Sequence, residues 1–164
     1  MTTIEQTVHD GPVPVHVSDH GGDGRAVVLL HGGGHSGSHW DELASRLRAF
    51  GHRPVALDLR GHGSTPAAGP STTAATSQTA SSHDHGRVRC PLVITRSTRS
   101  AAEILPAANR DAWRAFERWT REQLVAASEA NPAVEVVETP TGHDAHRERP
   151  ELVTALIRER LPVR

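Results

Sequence analysis

The chain has 164 residues, enough for one ordinary domain with a modest core but too few for two with large cores. Its 18 basic residues, all arginine, face 19 acidic ones for a formal charge of -1, a balance that gives no electrostatic footprint for nucleic acid or an anionic membrane. One cysteine, Cys90, excludes an intrachain disulfide framework and a thiolate metal cluster, which fits a reducing compartment and also a secreted protein without bridges.

The first residues carry no basic start and no apolar h-region, so no signal peptide is read. No run of 18 apolar residues is present, and a soluble cytoplasmic protein is the expectation. At 12–17, Val13, Val15 and Val17 alternate with the period of a half-buried strand. The stretch 20–24, HGGDG, is a turn, and 25–32 follows as a nearly continuous apolar strand. Such a run suits a strand covered on both faces by helices in a parallel sheet. Residues 38–51 predict a helix in which Trp40, Leu43, Leu47 and Phe50 share a face and Gly51 closes the end. The next strand is 53–59, and strand–helix–strand makes a βαβ unit.

Residues 64–82 are small, hydroxylated and nearly without apolar mass, so they cannot offset the entropy of ordering. A loose insertion over 65–86 is predicted, within a single domain spanning 1–164. Order resumes with a strand at 90–96, where Cys90 reads as a small buried hydrophobe. A helix over 109–128 follows, with Ala112, Trp113, Phe116, Trp119 and Leu124 on one greasy face. A strand at 133–140 comes next. The last helix, 149–161, opens on Pro150 and turns Leu152, Leu156, Ile157 and Leu161 toward the sheet. Residues 26–31, 53–58, 91–96 and 133–138 are expected in one mainly parallel sheet with helices on both faces.

Three segments, VVLLHGGG (27–34), VALDLRGHGSTP (55–66) and VVETPTGHDAHRERPELVTALI (136–157), each sit on or behind an apolar strand. Together and in this order they resemble the α/β-hydrolase superfamily over residues 12–66 and 90–161. The resemblance implies a partial α/β fold: a hydrolase-like, mainly parallel sheet flanked by helices, with central strands missing. Family members carry a nucleophile in G-x-S-x-G on a strained elbow, and that motif is absent here. Strand 5, which in the family lies beside strand 3, is absent too. Its loss leaves an apolar edge on 26–31 unless the 90–96 strand closes in or another copy pairs there.

Glycines at 32–34 leave room for a backbone N–H to reach a substrate oxygen; they also suit a tight strand-to-helix turn. The resemblance implies that Gly32, Gly33 and Gly34 form an oxyanion element and that His143 is the catalytic base. A loop histidine is otherwise plain surface. Asp58 and Arg60 are implied to bond the surrounding loops rather than to act as acids. Ser36, in GHSGS, is the first hydroxyl to test as a nucleophile, although its position better suits an N-terminal helix cap or a loop hydroxyl. The orienting acid of the family has no clear counterpart: Glu103 comes late, and nothing fixes Asp84.

The 12 histidines raise the question of a metal site. His31 ends a strand and glycines follow it, so His31, His35 and His39 share no helix face, and no H-E-x-x-H occurs. No metal and no cofactor are expected. The expected activity is a serine-type hydrolysis of esters, lactones or amides, weak or lost for want of an aligned nucleophile. The alternative is a non-catalytic remnant that binds a small molecule or another protein. A small ester-like or hydrophobic ligand is the expected partner, with no nucleic acid and no membrane, and a homo-oligomer through the exposed sheet edge.

Overall fold

Alternating valines and a glycine-rich turn shape the start of the chain in the computed structural model, which describes residues 3–9, 13–32, 34–67 and 88–163. Strands β1 (Ile4–Val8), β2 (Val15–Asp19), β3 (Ala26–Leu30) and β4 (Arg53–Leu57) form a four-stranded sheet ordered β1-β2-β4-β3. β3 and β4 are parallel, with Val28 opposite Val55 and Leu30 opposite Leu57, and helix α1 (Asp41–Ala49) connects them. β2 runs antiparallel to both β1 and β4. β1 was not expected from the sequence. All five of its residues are exposed, so it carries no burial period to read.

The chain divides into two units, Met1–Ala80 with Pro150–Arg164, and Ser81–Arg149. In the first, Val17, Val27, Leu29, Leu43, Ala44, Leu47, Ala56 and Val153 form the core. Helix α1 ends where Gly51 was expected to end it. Gly51 takes φ +87° and its N–H bonds the Arg48 carbonyl at 2.9 Å, while the His52 N–H reaches the Leu47 carbonyl at 3.1 Å. That pair of bonds is a Schellman cap, whose left-handed position favours glycine. Phe50 departs from the expected greasy face: it is exposed, under the Arg158 guanidinium at 4.2 Å from its ring centre.

The second unit holds a two-stranded parallel sheet, β5 (Leu92–Ser97) beside β6 (Val134–Thr139), joined through helix α2 (Ala107–Ala130). A short helix α3 (Ala145–Glu148) follows β6. Helix α4 (Pro150–Arg160) belongs to the first unit and begins on Pro150 as expected, yet its buried residues are Val153 and Thr154, with Leu152, Leu156 and Ile157 half-buried. No residue of α2 is buried, and Trp113, Phe116 and Trp119 lie on its surface as a ladder with ring centres 5.6 and 6.1 Å apart.

Among the described residues the fold is α/β, a mixed and incomplete sheet with helices that lacks some strands of the expected sheet. The expectation of a single sheet is corrected, because the four strands named above pair as two separate sheets. Antiparallel pairing enters the larger one through β1 and β2. β3 is its edge, bonded among the described residues to β4 alone. Its burial alternates, Val27 and Leu29 inside against Val28 at 57% and Leu30 at 49% exposure, so the apolar run is covered on one face rather than two. Cys90 is exposed, not buried, because it precedes β5 rather than lying in it. Residues 68–87, which hold most of the predicted insertion and Asp84, lie outside the described residues, as does Gly33.

Candidate functional site

Parallel β3 and β4 end side by side, so the loops that leave them, residues 31–40 and 58–66, emerge at one edge of the sheet. Asp58 ties these loops together. Its carboxylate, 6% exposed, accepts the Gly37 N–H at 2.7 Å through Oδ1 and the Ser64 N–H at 2.7 Å through Oδ2. Burial by itself raises the pKa of such a carboxyl. The two backbone donors, with His16 and His31 nearby, outweigh it and hold Asp58 below the usual carboxylate range.

Gly63 is required by the same contact. Its φ is +52°, and a Cβ there would stand 2.1 Å from Asp58 Oδ2. The Asp58–Gly63 spacing thus has a physical reason: the carboxylate occupies the space that a side chain would need. Thr65 anchors the loop from the other side, its hydroxyl accepting the His16 N–H at 2.8 Å. The Arg60 guanidinium makes no hydrogen bond or ion pair among the described residues, so the loop bonding implied for it falls to Asp58 alone.

His31 is a second tie, and the sequence reading placed it only at the end of a strand. It is buried, and Nε2 accepts the Leu59 N–H at 3.0 Å. Nδ1 therefore carries the proton and donates to the Gly32 carbonyl at 2.7 Å. One imidazole joins the first glycine of the loop to the residue after Asp58.

Gly34, at φ +79°, directs its N–H at His62 Nε2 over 3.4 Å, and His62 Nδ1 lies 3.1 Å from the Arg60 carbonyl. The Gly34 N–H, in one of the three glycines of the expected oxyanion element, thus has an internal acceptor, while Gly33, nearest the expected donor, lies outside the described residues. Ser36 stands at the N-cap of a 3-10 turn over Gly37–Trp40 without making a side-chain cap bond. Its hydroxyl pairs at 2.9 Å with that of Ser38. Among the described residues the Ser36 hydroxyl bonds no histidine or carboxylate that could take its proton.

In the second unit, His143 lies exposed on the turn between β6 and α3. The turn is held firmly. Thr139 and Thr141, both buried, pair their hydroxyls at 2.9 Å, and the Thr141 carbonyl accepts from the Ser97 hydroxyl and from the Arg99 N–H at 3.3 Å. The Gly142 N–H donates to Glu148 Oε1 at 2.9 Å, and Glu148 also pairs with Arg99. Glu148 was missed in the sequence, where a glutamate six residues beyond a glycine carries no signal. Glu103, the carboxylate considered as an orienting acid, is bonded to Arg114 Nη2 at 2.7 Å.

A family model described as "Alpha/beta hydrolase family" matches residues 27–94. Protein phosphatase methylesterase 1 of Bos taurus is 41% identical over 69 residues, 40% of this chain and 17% of that protein. Putative carbamate hydrolase RutD of Variovorax paradoxus (strain S110) is 44% identical over 57 residues, 34% of this chain and 21% of that protein. The chain thus matches about a fifth of the length of these relatives. Among solved structures, a predicted CIB-like hydrolase from Thermoplasma acidophilum is similar over 98% of each chain, with a TM-score of 0.58 at 13% identity.

Proposed function

Because the chain belongs to the α/β-hydrolase superfamily and represents part of that fold, we propose that it is a serine-type hydrolase scaffold whose turnover is weak or absent. The bonds it addresses are esters, lactones or amides, a class in which the methylesterase and carbamate hydrolase among its relatives also fall. In this reading His143 is the base, the 32–34 loop supplies the oxyanion donor and Ser36 is the attacking hydroxyl.

The carrying observation is the Asp58 tie to Gly37 and Ser64, which fixes the glycine loop at the carboxyl end of β3. The slow rate is supported by the Ser36–Ser38 pairing, since loss of nucleophile activation removes most of the acceleration of such a site. The same pairing favours a second reading, a non-catalytic remnant that binds a small ester-like or hydrophobic ligand. Cys90, free and exposed, fits a reducing compartment, and the cytoplasm is the proposed location. Among the described residues no helix is long and apolar enough to cross a membrane.

Turnover of p-nitrophenyl acetate by the purified chain, beside His143→Ala and Ser36→Ala, tests both readings. The expected result is a rate well below about 1 s⁻¹, lowered further by either substitution. A rate at the buffer background in all three proteins selects the binding remnant. A rate above about 1 s⁻¹ that His143→Ala abolishes makes the chain a full enzyme and overturns both.

A further inference from the structure

The Gly34 N–H gives its hydrogen bond to the His62 ring, with Nε2 3.4 Å away. That ring is anchored by its own loop. The His62 N–H donates to the Leu59 carbonyl at 2.9 Å, the His62 carbonyl accepts the Thr65 N–H at 3.0 Å, and Nδ1 lies 3.1 Å from the Arg60 carbonyl. A carbonyl only accepts, so Nδ1 carries the proton of the neutral ring and Nε2 is left as the acceptor.

Gly34 is the side that can yield. It is exposed, takes φ +79°, and beyond its chain neighbours no atom stands within 4 Å of the place a Cβ would occupy. At 3.4 Å the bond to His62 is already long, so little holds it closed.

A proton on Nε2 turns that acceptor into a donor, a change that histidine undergoes between about pH 5 and 8. Two N–H groups then face each other, and the imidazolium has no other acceptor to offer. With the ring held by Arg60, Leu59 and Thr65, it is Gly34 that moves away. Its N–H is then open to an oxygen carrying negative charge, beside a cation of opposite sign.

The neighbouring charged and titratable groups leave this role to His62. The His31 ring is 5.0 Å away, but it donates to the Gly32 carbonyl and accepts from Leu59, so a proton there would break the Leu59 bond instead. Asp58, with His16 near it, bonds Gly37 and Ser64. Arg60 stays charged throughout, and His35 and His39 lie ring to ring at 4.0 Å further along the first loop.

We propose that His62 is a proton-operated latch on the glycine loop: neutral, it occupies the Gly34 N–H; protonated, it releases that N–H to an anionic oxygen. The effect on turnover rests on the hydrolase reading of this loop, whereas the latch itself does not.

The test follows the Gly34 amide and His62 ring signals of the full chain by NMR from about pH 8 to about pH 5. The two should titrate with one midpoint. His62→Phe keeps a ring without the acceptor, so the Gly34 signal should stop titrating and its exchange at about pH 8 should quicken about three- to tenfold. His62→Gln offers a carbonyl that no proton takes in this range, and should hold the amide closer to the parent's exchange without the titration. The proposal is overturned if the Gly34 signal stays fixed while the His62 ring titrates, or if it titrates alike in His62→Phe, which would assign the effect to His31. Turnover of p-nitrophenyl acetate at about pH 8 reads the consequence separately: His62→Phe should exceed the parent by a similar factor, and equal nonzero rates overturn the latch as a control of the site. Background rates in every protein would remove the hydrolase reading, and the amide signals would still decide the latch.

Discussion

Asp58 and Gly37 meet through a 2.7 Å hydrogen bond in which a buried carboxylate accepts a backbone N–H from the neighbouring loop. Hydrogen bonds to an ionised group contribute about 1.5–3 kcal/mol. Asp58→Ala, which also strands the Ser64 N–H, should therefore destabilise the first unit by about 3 kcal/mol, read as a drop in urea midpoint. The pH dependence follows from the depressed pKa. The stabilisation is fully present above the unfolded-state value, about 3.9, and is lost as pH falls through the lower folded-state value. Acid unfolding of Asp58→Asn should accordingly be shallower below about pH 4 than that of the parent.

Gly63→Ala should be costly at a position that looks like open loop. The φ of +52° and a Cβ placed 2.1 Å from Asp58 Oδ2 act together, so the carboxylate must move off its two donors. A loss of about 2–3 kcal/mol is expected, and combining it with Asp58→Ala should cost much less than the sum. A double-mutant cycle with additive losses would contradict the shared mechanism.

His31 should be held in the Nδ1-protonated tautomer, because Nε2 already accepts the Leu59 N–H. Ring nitrogen chemical shifts report this directly. His31→Ala should cost about 1–3 kcal/mol through the stranded Leu59 N–H and should speed amide exchange from Leu59 through Ser64.

The sequence carried the strands and helices closest to their hydrophobic period. β3, β4, α1 and α4 appear within a few residues of expectation because valine and leucine spacing, Gly51 and Pro150 are local signals. Asp58 was legible through the resemblance of its segment to the family, though only the structure explains the glycine at 63, where the Asp58 carboxylate fills the space a side chain would need. His31 and Glu148 were not legible, since each acts through partners remote in sequence. β1 carries no buried face, so its strand rests on pairing with β2, which no residue pattern encodes. The single-sheet expectation failed for a related reason, as parallel βαβ rhythm shows which strands form but not which of them pair.

β3 at the sheet edge, with Val28 and Leu30 outward, is the expected surface for a second copy of the chain. Sedimentation should show association that grows with concentration. Val28→Lys with Leu30→Lys should abolish it while leaving the thermal midpoint within a few degrees, because both side chains are already largely in water. A monomer at all concentrations would rule this surface out.

The first unit is not contiguous, since α4 joins it after the 69 residues of Ser81–Arg149. During synthesis the sheet and α1 must therefore wait for the ribosome to complete that intervening stretch, several seconds at about 5–20 residues per second. Through that interval α1 lacks the α4 helix that packs against it. The edge of β3 is exposed at the same time. A nascent chain in this state is open to holdase chaperones and to pairing with its neighbours on the same message. Aggregation in the cell should thus be decided by the speed of translation across 81–149 more than by the stability of the finished protein.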